Sequence, residues 1–265
     1  MERSGEQKNI LLVIDPQNDF TNPEGGKLYV KGAEIAIQNL RKWILQHKES
    51  IARIILTQDS HMSYHIGHSK FWKESPRPGT EITYEDVLES RYNPVIPLSE
   101  YGEDICEEIL DYFKTLKEKG LTHKIWPEHC IKGSRGWSIS EELIETVNTW
   151  SLDNRGLMYD IVEKGTYPYK EMYSAISYAD GTVDDDVHDF LVDTFCRNTG
   201  KIYVAGFAKD YCVAETVRDL IKMPVTEGRL VFLEDCMATI DKNNPSLSVY
   251  NEAINNYGAE RIQLS

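Results

Sequence analysis

An alternation of short, unbroken apolar runs with longer stretches of helical periodicity constrains this chain more than any other feature. Residues 9–15 (NILLVID) are apolar until they end on an acid, as in a strand buried on both faces of a parallel sheet. Residues 33–46 then place Ile35, Ile37, Leu40, Trp43, Ile44 and Leu45 at mostly helical spacing, and residues 51–58 form a second strand ending at Asp59. The unit recurs. Strands are expected at 157–163 (ending at Lys164), 201–206, 229–233 and 261–264, and helices at 187–195, 211–223 (stopped by Pro224) and 247–257. This pattern predicts an α/β fold: a doubly wound, mostly parallel six-stranded sheet with helices on both faces, Rossmann-like in architecture.

Neither an internal repeat nor a linker divides the chain, so residues 1–265 read as a single domain carrying a long insertion at about 69–125. The insertion is rich in Glu, Tyr, Pro and Ser, with one helix at 105–116 and no central strand. A segment of that length is a lid, a binding loop, an oligomer contact or a solvated decoration.

Charge and cysteine content narrow the functional classes. With 29 Lys and Arg against 43 Asp and Glu, the net charge of -14 opposes a nucleic-acid partner held through phosphates. The five cysteines, Cys106, Cys130, Cys196, Cys212 and Cys236, include no CxxC pair, which suits a reducing compartment. The polar N-terminal residues 1–9 carry no targeting pattern, and no apolar run approaches the roughly 20 residues of a membrane helix. A cytoplasmic protein without a membrane partner is the expectation.

Three chemically active residues fall at predicted strand ends: Asp15, Lys164 and, after Gly206-Phe207-Ala208, the thiol of Cys212. The carboxyl ends of parallel strands share one edge of the sheet, where ligands bind. An acid, an amine and a thiol could meet there, and an ammonium and a helix N-terminus would each lower the thiol pKa. Singly, each has a plain structural reading: a turn-capping Asp, a solvated Lys, a small buried Cys.

A second constellation is Asp59-Ser60-His61, followed by His65 and His68 and, much later, by His129 in WPEHC. Carboxylate oxygen and imidazole nitrogen suit zinc, iron or manganese, although a DxH pair also arises by chance. Asp184-Asp185-Asp186 reads as a helix start. His47, His123 and His188 suggest no role. With no GxGxxG or GxxxxGK[ST] loop, no nucleotide cofactor is expected.

Taken in order, VIDPQNDF (13–20), GGKLYVKGA (25–33), TQDSHMSYHIGH (57–68), WPEHC (126–130), VEKGT (162–166) and GFAKDYCVAET (206–216) resemble the isochorismatase-like cysteine hydrolases, and within them the nicotinamidases. The resemblance implies a catalytic set of Asp15, Lys164 and Cys212, with one divalent metal on Asp59, His61 and His129. Zinc is the first expectation, iron or manganese the alternatives. His65, His68 or an acid of the insertion stays open as a fourth ligand.

The same resemblance implies an aromatic wall of Phe20, Trp126 and Tyr173, and a cis peptide between Phe207 and Ala208 that aims the amides of Ala208 and Cys212 at an oxyanion. The implied reaction is deamidation of nicotinamide to nicotinate and ammonia through a thioester; a non-catalytic protein on this fold, or a relative cleaving another amide or ureido compound, is the alternative. A homo-oligomer agrees with the family habit. Lys209 departs from the usual small residue and would add a charge near the mouth.

Overall fold

The structure is a computed structural model describing residues 9–96 and 102–264. The N-terminal residues 1–8 and residues 97–101 of the insertion, both read above, lie outside the described residues.

In chain order the elements are β1 (Asn9–Ile14), α1 (Asn18–Thr21), α2 (Ala33–His47), β2 (Ile51–Asp59), β3 (Glu81–Ile82), α3 (Tyr84–Leu88), α4 (Gly102–Glu118), β4 (His123–Lys124), α5 (Glu141–Asp153), β5 (Tyr159–Lys164), α6 (Asp185–Arg197), β6 (Ile202–Gly206), α7 (Ala214–Leu220), β7 (Leu230–Met237), α8 (Ser248–Tyr257) and β8 (Glu260–Ile262). Six strands make one parallel sheet in the order β5-β2-β1-β6-β7-β8. The chain winds outward through β2 and β5, then returns to wind the other way from β6. The switch in direction lies between β1 and β6, and the crevice at that point is where the sheet edge opens to a ligand.

Every residue of β1 is buried, because the sheet is covered on both faces. On one face Leu40 and Trp43 of α2 pack with Leu143, Val147 and Trp150 of α5; on the other, Leu191 and Phe195 of α6 pack with Val217 and Leu220 of α7 and Val249 of α8. The repeat read from the sequence leaves out α5, whose apolar stripe at Leu143, Val147 and Trp150 has helical spacing. Asp184 caps α6 by accepting from the Val187 amide at 3.2 Å, as expected of that acidic run.

Among the described residues, the insertion contributes no strand to the large sheet. Its β3 and β4 form a separate antiparallel ribbon, and α4 packs with Ile66, Phe71, Trp72 and Ile82 into a buried cluster of its own. Each of those large side chains gains about 1.5 to 3 kcal/mol from leaving water, so this segment is built around a core rather than solvated. No helix among the described residues is long and apolar enough to cross a membrane.

Candidate active site

At the carboxyl edge of the sheet the acid, the amine and the thiol converge. Lys164, the last residue of β5, is fully buried, and its Nζ lies 3.0 Å from Asp15 Oδ2, 3.0 Å from Asp59 Oδ1, 3.0 Å from the Met172 carbonyl oxygen and 3.7 Å from Cys212 Sγ. A buried ammonium is costly unless paired. Burial favours the neutral amine, but the carboxylates of Asp15 and Asp59 outweigh it and hold Lys164 charged, its pKa well above the ordinary value.

Asp15 follows β1 in the left-handed region, with φ 48°. Thr57 of β2 fixes it twice: the Asp15 amide donates to Thr57 Oγ1 at 3.0 Å, and that hydroxyl donates to Asp15 Oδ1 at 2.5 Å. Burial raises the Asp15 pKa, opposed by Lys164. Its carboxyl is thereby suited to take up and give back a proton.

The thiol departs from expectation. Burial pushes the Cys212 pKa well above its ordinary value, and the Lys164 ammonium only partly offsets this. Nor does a helix begin at Cys212. Lys209–Val213 is a π-helical turn, closed by the Val213 amide on the Ala208 carbonyl at 3.1 Å, and α7 proper starts at Ala214. Cys212 therefore rests as a thiol and needs a base beside it. The Phe207–Ala208 peptide is cis, as the motif implies. Gly206, with φ 128°, lies so close to the end of β1 that a Cβ there would run into the Ile14 carbonyl oxygen, which is why this strand end is glycine.

Asp59 joins this group to a second one. Its Oδ1 faces Lys164, while its Oδ2 lies 2.9 Å from His61 Nε2 and 3.4 Å from His129 Nε2. The opposite ring nitrogens are held by carbonyls, His61 Nδ1 at 3.1 Å from Gly165 O and His129 Nδ1 at 2.8 Å from Pro127 O. A carbonyl only accepts, so each Nδ1 carries a hydrogen and each Nε2 is turned toward the Asp59 carboxylate, where a positive charge is needed between them. Three electron-rich atoms facing one another call for a cation, and second-sphere carbonyls of this kind orient metal ligands. The donor set fits zinc, iron or manganese. Without one, burial would raise the Asp59 carboxyl, but His61 and Lys164 hold it well below the usual range.

His65 and His68 are also buried against this cluster, their rings centred 4.1 Å and 5.3 Å from His61. The Gly67 amide donates to His65 Nδ1 at 3.2 Å, so a neutral His65 keeps its hydrogen on Nε2 and has no lone pair free there. Neither nitrogen of His68 meets a hydrogen-bond partner among the described residues. Burial pushes the His68 pKa down to about 2 and that of His65 well below its ordinary value.

Trp126 and Tyr173 stand together, the indole Nε1 donating to the phenol oxygen at 2.9 Å. The Phe20 ring stands edge-on to that of His129, 5.5 Å between centres. The third ring beside Trp126 and Tyr173 belongs to Tyr211, 5.0 Å and 5.8 Å away. The Lys209 ammonium pairs with Glu234 at 2.5 Å and lies over the Tyr250 ring, so its charge is neutralised.

The isochorismatase domain family matches residues 9–260. The chain belongs to that family. It is 26% identical over 216 residues to the nicotinamidase of Saccharomyces cerevisiae, covering 78% of each chain. A solved nicotinamidase and pyrazinamidase of Acinetobacter baumanii is 26% identical, superposes with a TM-score of 0.65, and is matched over 97% of this chain and 96% of that one. The fold is also that of the pyrazinamidase of Pyrococcus horikoshii in complex with zinc, at 21% identity and a TM-score of 0.55, over 97% and 99% of the two chains. The family read from the ordered motifs and the six-stranded fold read from the alternation of apolar runs and helical stretches are borne out, and the chain is an enzyme, a hydrolase of the isochorismatase family.

Several residues that shape the site of this isochorismatase-family enzyme escape a reading by motif. Gln17 clasps the end of β2, accepting from the Asp59 amide at 2.8 Å and donating to the Asp59 carbonyl at 2.7 Å. Asp19 takes the Cys130 amide at 2.6 Å and so fixes the turn that presents His129. His123, read as having no role, is buried between the Tyr112 hydroxyl at 3.1 Å and the Ile66 carbonyl at 3.1 Å. Gln17 and Asp19 lie in the first motif and Tyr211 in the last, but their partners are fixed by the fold alone.

Proposed function

We propose that this enzyme deamidates nicotinamide to nicotinate and ammonia through a thioester on Cys212. The observation that carries the reading is the meeting of Asp15, Lys164 and Cys212 around one buried ammonium, in a chain whose relatives are nicotinamidases.

Asp15 takes the Cys212 proton, and the thiolate, stabilised by Lys164, attacks the amide carbon. The amides of Ala208 and Cys212 receive the oxyanion. Asp15 returns the proton to the departing nitrogen, which leaves as ammonia. Asp15 then takes a proton from water as that water attacks the thioester, and gives it to the departing Cys212 sulfur, which restores the thiol as the acid leaves. Trp126, Tyr173 and Phe20, whose ring meets that of His129, flank the substrate ring.

Asp59, His61 and His129 would hold one divalent metal, zinc in the first instance, and His68, whose ring meets those of His61 and His129 and whose nitrogens have no hydrogen-bond partner among the described residues, is the candidate fourth ligand. Such a metal supplies a Lewis acid for the pyridine nitrogen.

Ammonia release from nicotinamide, pyrazinamide, biuret and a carbamoyl compound, with and without a chelator, tests the reading. Chelator-sensitive release from nicotinamide that disappears in Cys212→Ala is expected. Release from biuret or the carbamoyl compound alone would replace the substrate, and full activity in Cys212→Ala would overturn the mechanism.

A further inference from the structure

A cavity of about 1050 Å³ lies against the aromatic group, with Lys124, Tyr173 and Tyr211 in its lining, bounded farther out by α7 and the loop that holds Asp241. It is much larger than a single pyridine ring needs. Within it, Lys124 is anomalous. The carboxylates of Glu215 and Asp219 are taken by Arg218 at 3.1 Å and Lys222 at 2.9 Å, and the half-buried Lys170 and Lys209 elsewhere in the chain both reach carboxylates. Lys124, also half-buried, meets no carboxylate within 4.0 Å among the described residues. Glu81 stands opposite it on the β3–β4 ribbon but accepts instead from the Thr122 hydroxyl at 3.1 Å, while Asp241 accepts from the Asn243 amide at 2.9 Å.

The ammonium of Lys124 turns to neutral partners. It lies 4.9 Å from the Trp126 ring centre and 5.6 Å from that of Tyr211, and donates to the Tyr211 hydroxyl at 3.2 Å. Ring faces hold a cation without cancelling its charge. A positive charge is thus left uncompensated beside the residue that precedes Cys212, in a chain of net charge -14.

We propose that Lys124 is a specificity-determining residue that makes this cavity favour an aromatic carboxylate over the corresponding neutral amide. The inference rests on the function proposed above only in naming the pair: a neutral aromatic amide enters and an anionic aromatic acid leaves, so a lone cation acts mainly on the product. A single cation in a partly desolvated setting shifts such a preference by about fivefold. The acid would be retained and would inhibit.

Binding measured by calorimetry in the Cys212→Ala background, where no turnover intervenes, tests this with nicotinate against nicotinamide and with benzoate against benzamide. Adding Lys124→Met is expected to weaken both acids about fivefold while the amides stay within about twofold, Lys124→Arg to restore the preference, and added salt to shrink it. Equal loss for acid and amide, or an Arg variant no better than Met, would overturn the proposal. The benzoate pair has no ring nitrogen, so it reports on Lys124 even if wild-type protein releases no ammonia from nicotinamide and the functional reading fails.

Discussion

The two halves of the site are supported in different ways. Asp15 and Lys164 stand on strand ends of the central sheet and Cys212 on the turn that follows a third strand, whereas in the second half Asp59 alone ends a strand and His61, His65, His68 and His129 ride on loops. The first half is held by charge compensation inside a rigid sheet edge: one ammonium, two carboxylates and a thiol. The second is held by carbonyls and by neighbouring rings: Gly165 and Pro127 fix His61 and His129, and the rings of His65 and His68 pack against His61. An edge built from strand ends is preorganised by the same hydrogen bonds that make the sheet, while the loop half depends on single hydrogen bonds from each ring to a carbonyl.

Substitutions that strike one half at a time can break this contrast. The largest effect is expected for Lys164→Met, which leaves Asp15 and Asp59 as buried anions without their partner. It should cost about 3 to 5 kcal/mol in chemical denaturation and remove measurable turnover. A variant of near wild-type stability would show that the edge does not depend on this ion pair. In the other half, His68→Ala should leave the fold stable but lower metal affinity by about 10 to 100-fold in competition with a chelator. Unchanged affinity there would exclude His68 from the ligand set.

A finer separation comes from Thr57→Val, which keeps the shape but removes the hydroxyl that donates to Asp15. Because that donor lowers the Asp15 pKa, its loss should move the acidic limb of the pH–rate profile to higher pH and reduce kcat by about tenfold. A lowered rate with an unmoved limb would reduce Thr57 to packing.

The smallest effect concerns acid stability of chelator-treated protein. His68 is neutral in the folded state down to about pH 2 but titrates near 6.5 when unfolded, so the unfolded chain binds the extra proton as pH falls. Stability should therefore decline below about pH 6.5, by up to about 1.4 kcal/mol per pH unit for one such group, as followed by thermal melts between pH 7 and 5. His68→Gln should flatten that decline. His61, whose folded pKa is raised, acts in the opposite sense: its contribution is present below its unfolded pKa and is lost as pH rises through the folded one.

The contrast also explains what could be read from residue order. Asp15 and Lys164 were legible because an apolar run that stops marks a strand end, and parallel strands end on the same side. Six ordered motifs then carried Cys212, Asp59, His61 and His129. Thr57 donates across 42 residues of chain, and Asp19 accepts from the Cys130 amide across 111. No periodicity encodes such pairings, since they depend on how β2 and the 126–130 turn lie beside β1. The thiol was misjudged for a related reason: a nearby ammonium is visible in the strand ends, but the depth of burial that opposes it is a property of the packed whole.

His123 gives this asymmetry a dynamic meaning. By bonding both Tyr112 of α4 and the Ile66 carbonyl, it couples the helix of the insertion to the segment that runs into His68. Such a link is expected to make the two open as one cooperative unit distinct from the central strands, so amide exchange at residues 66–68 should track that of α4 and outpace that of β1. The histidine loop would loosen while the acid, amine and thiol remain assembled beneath it.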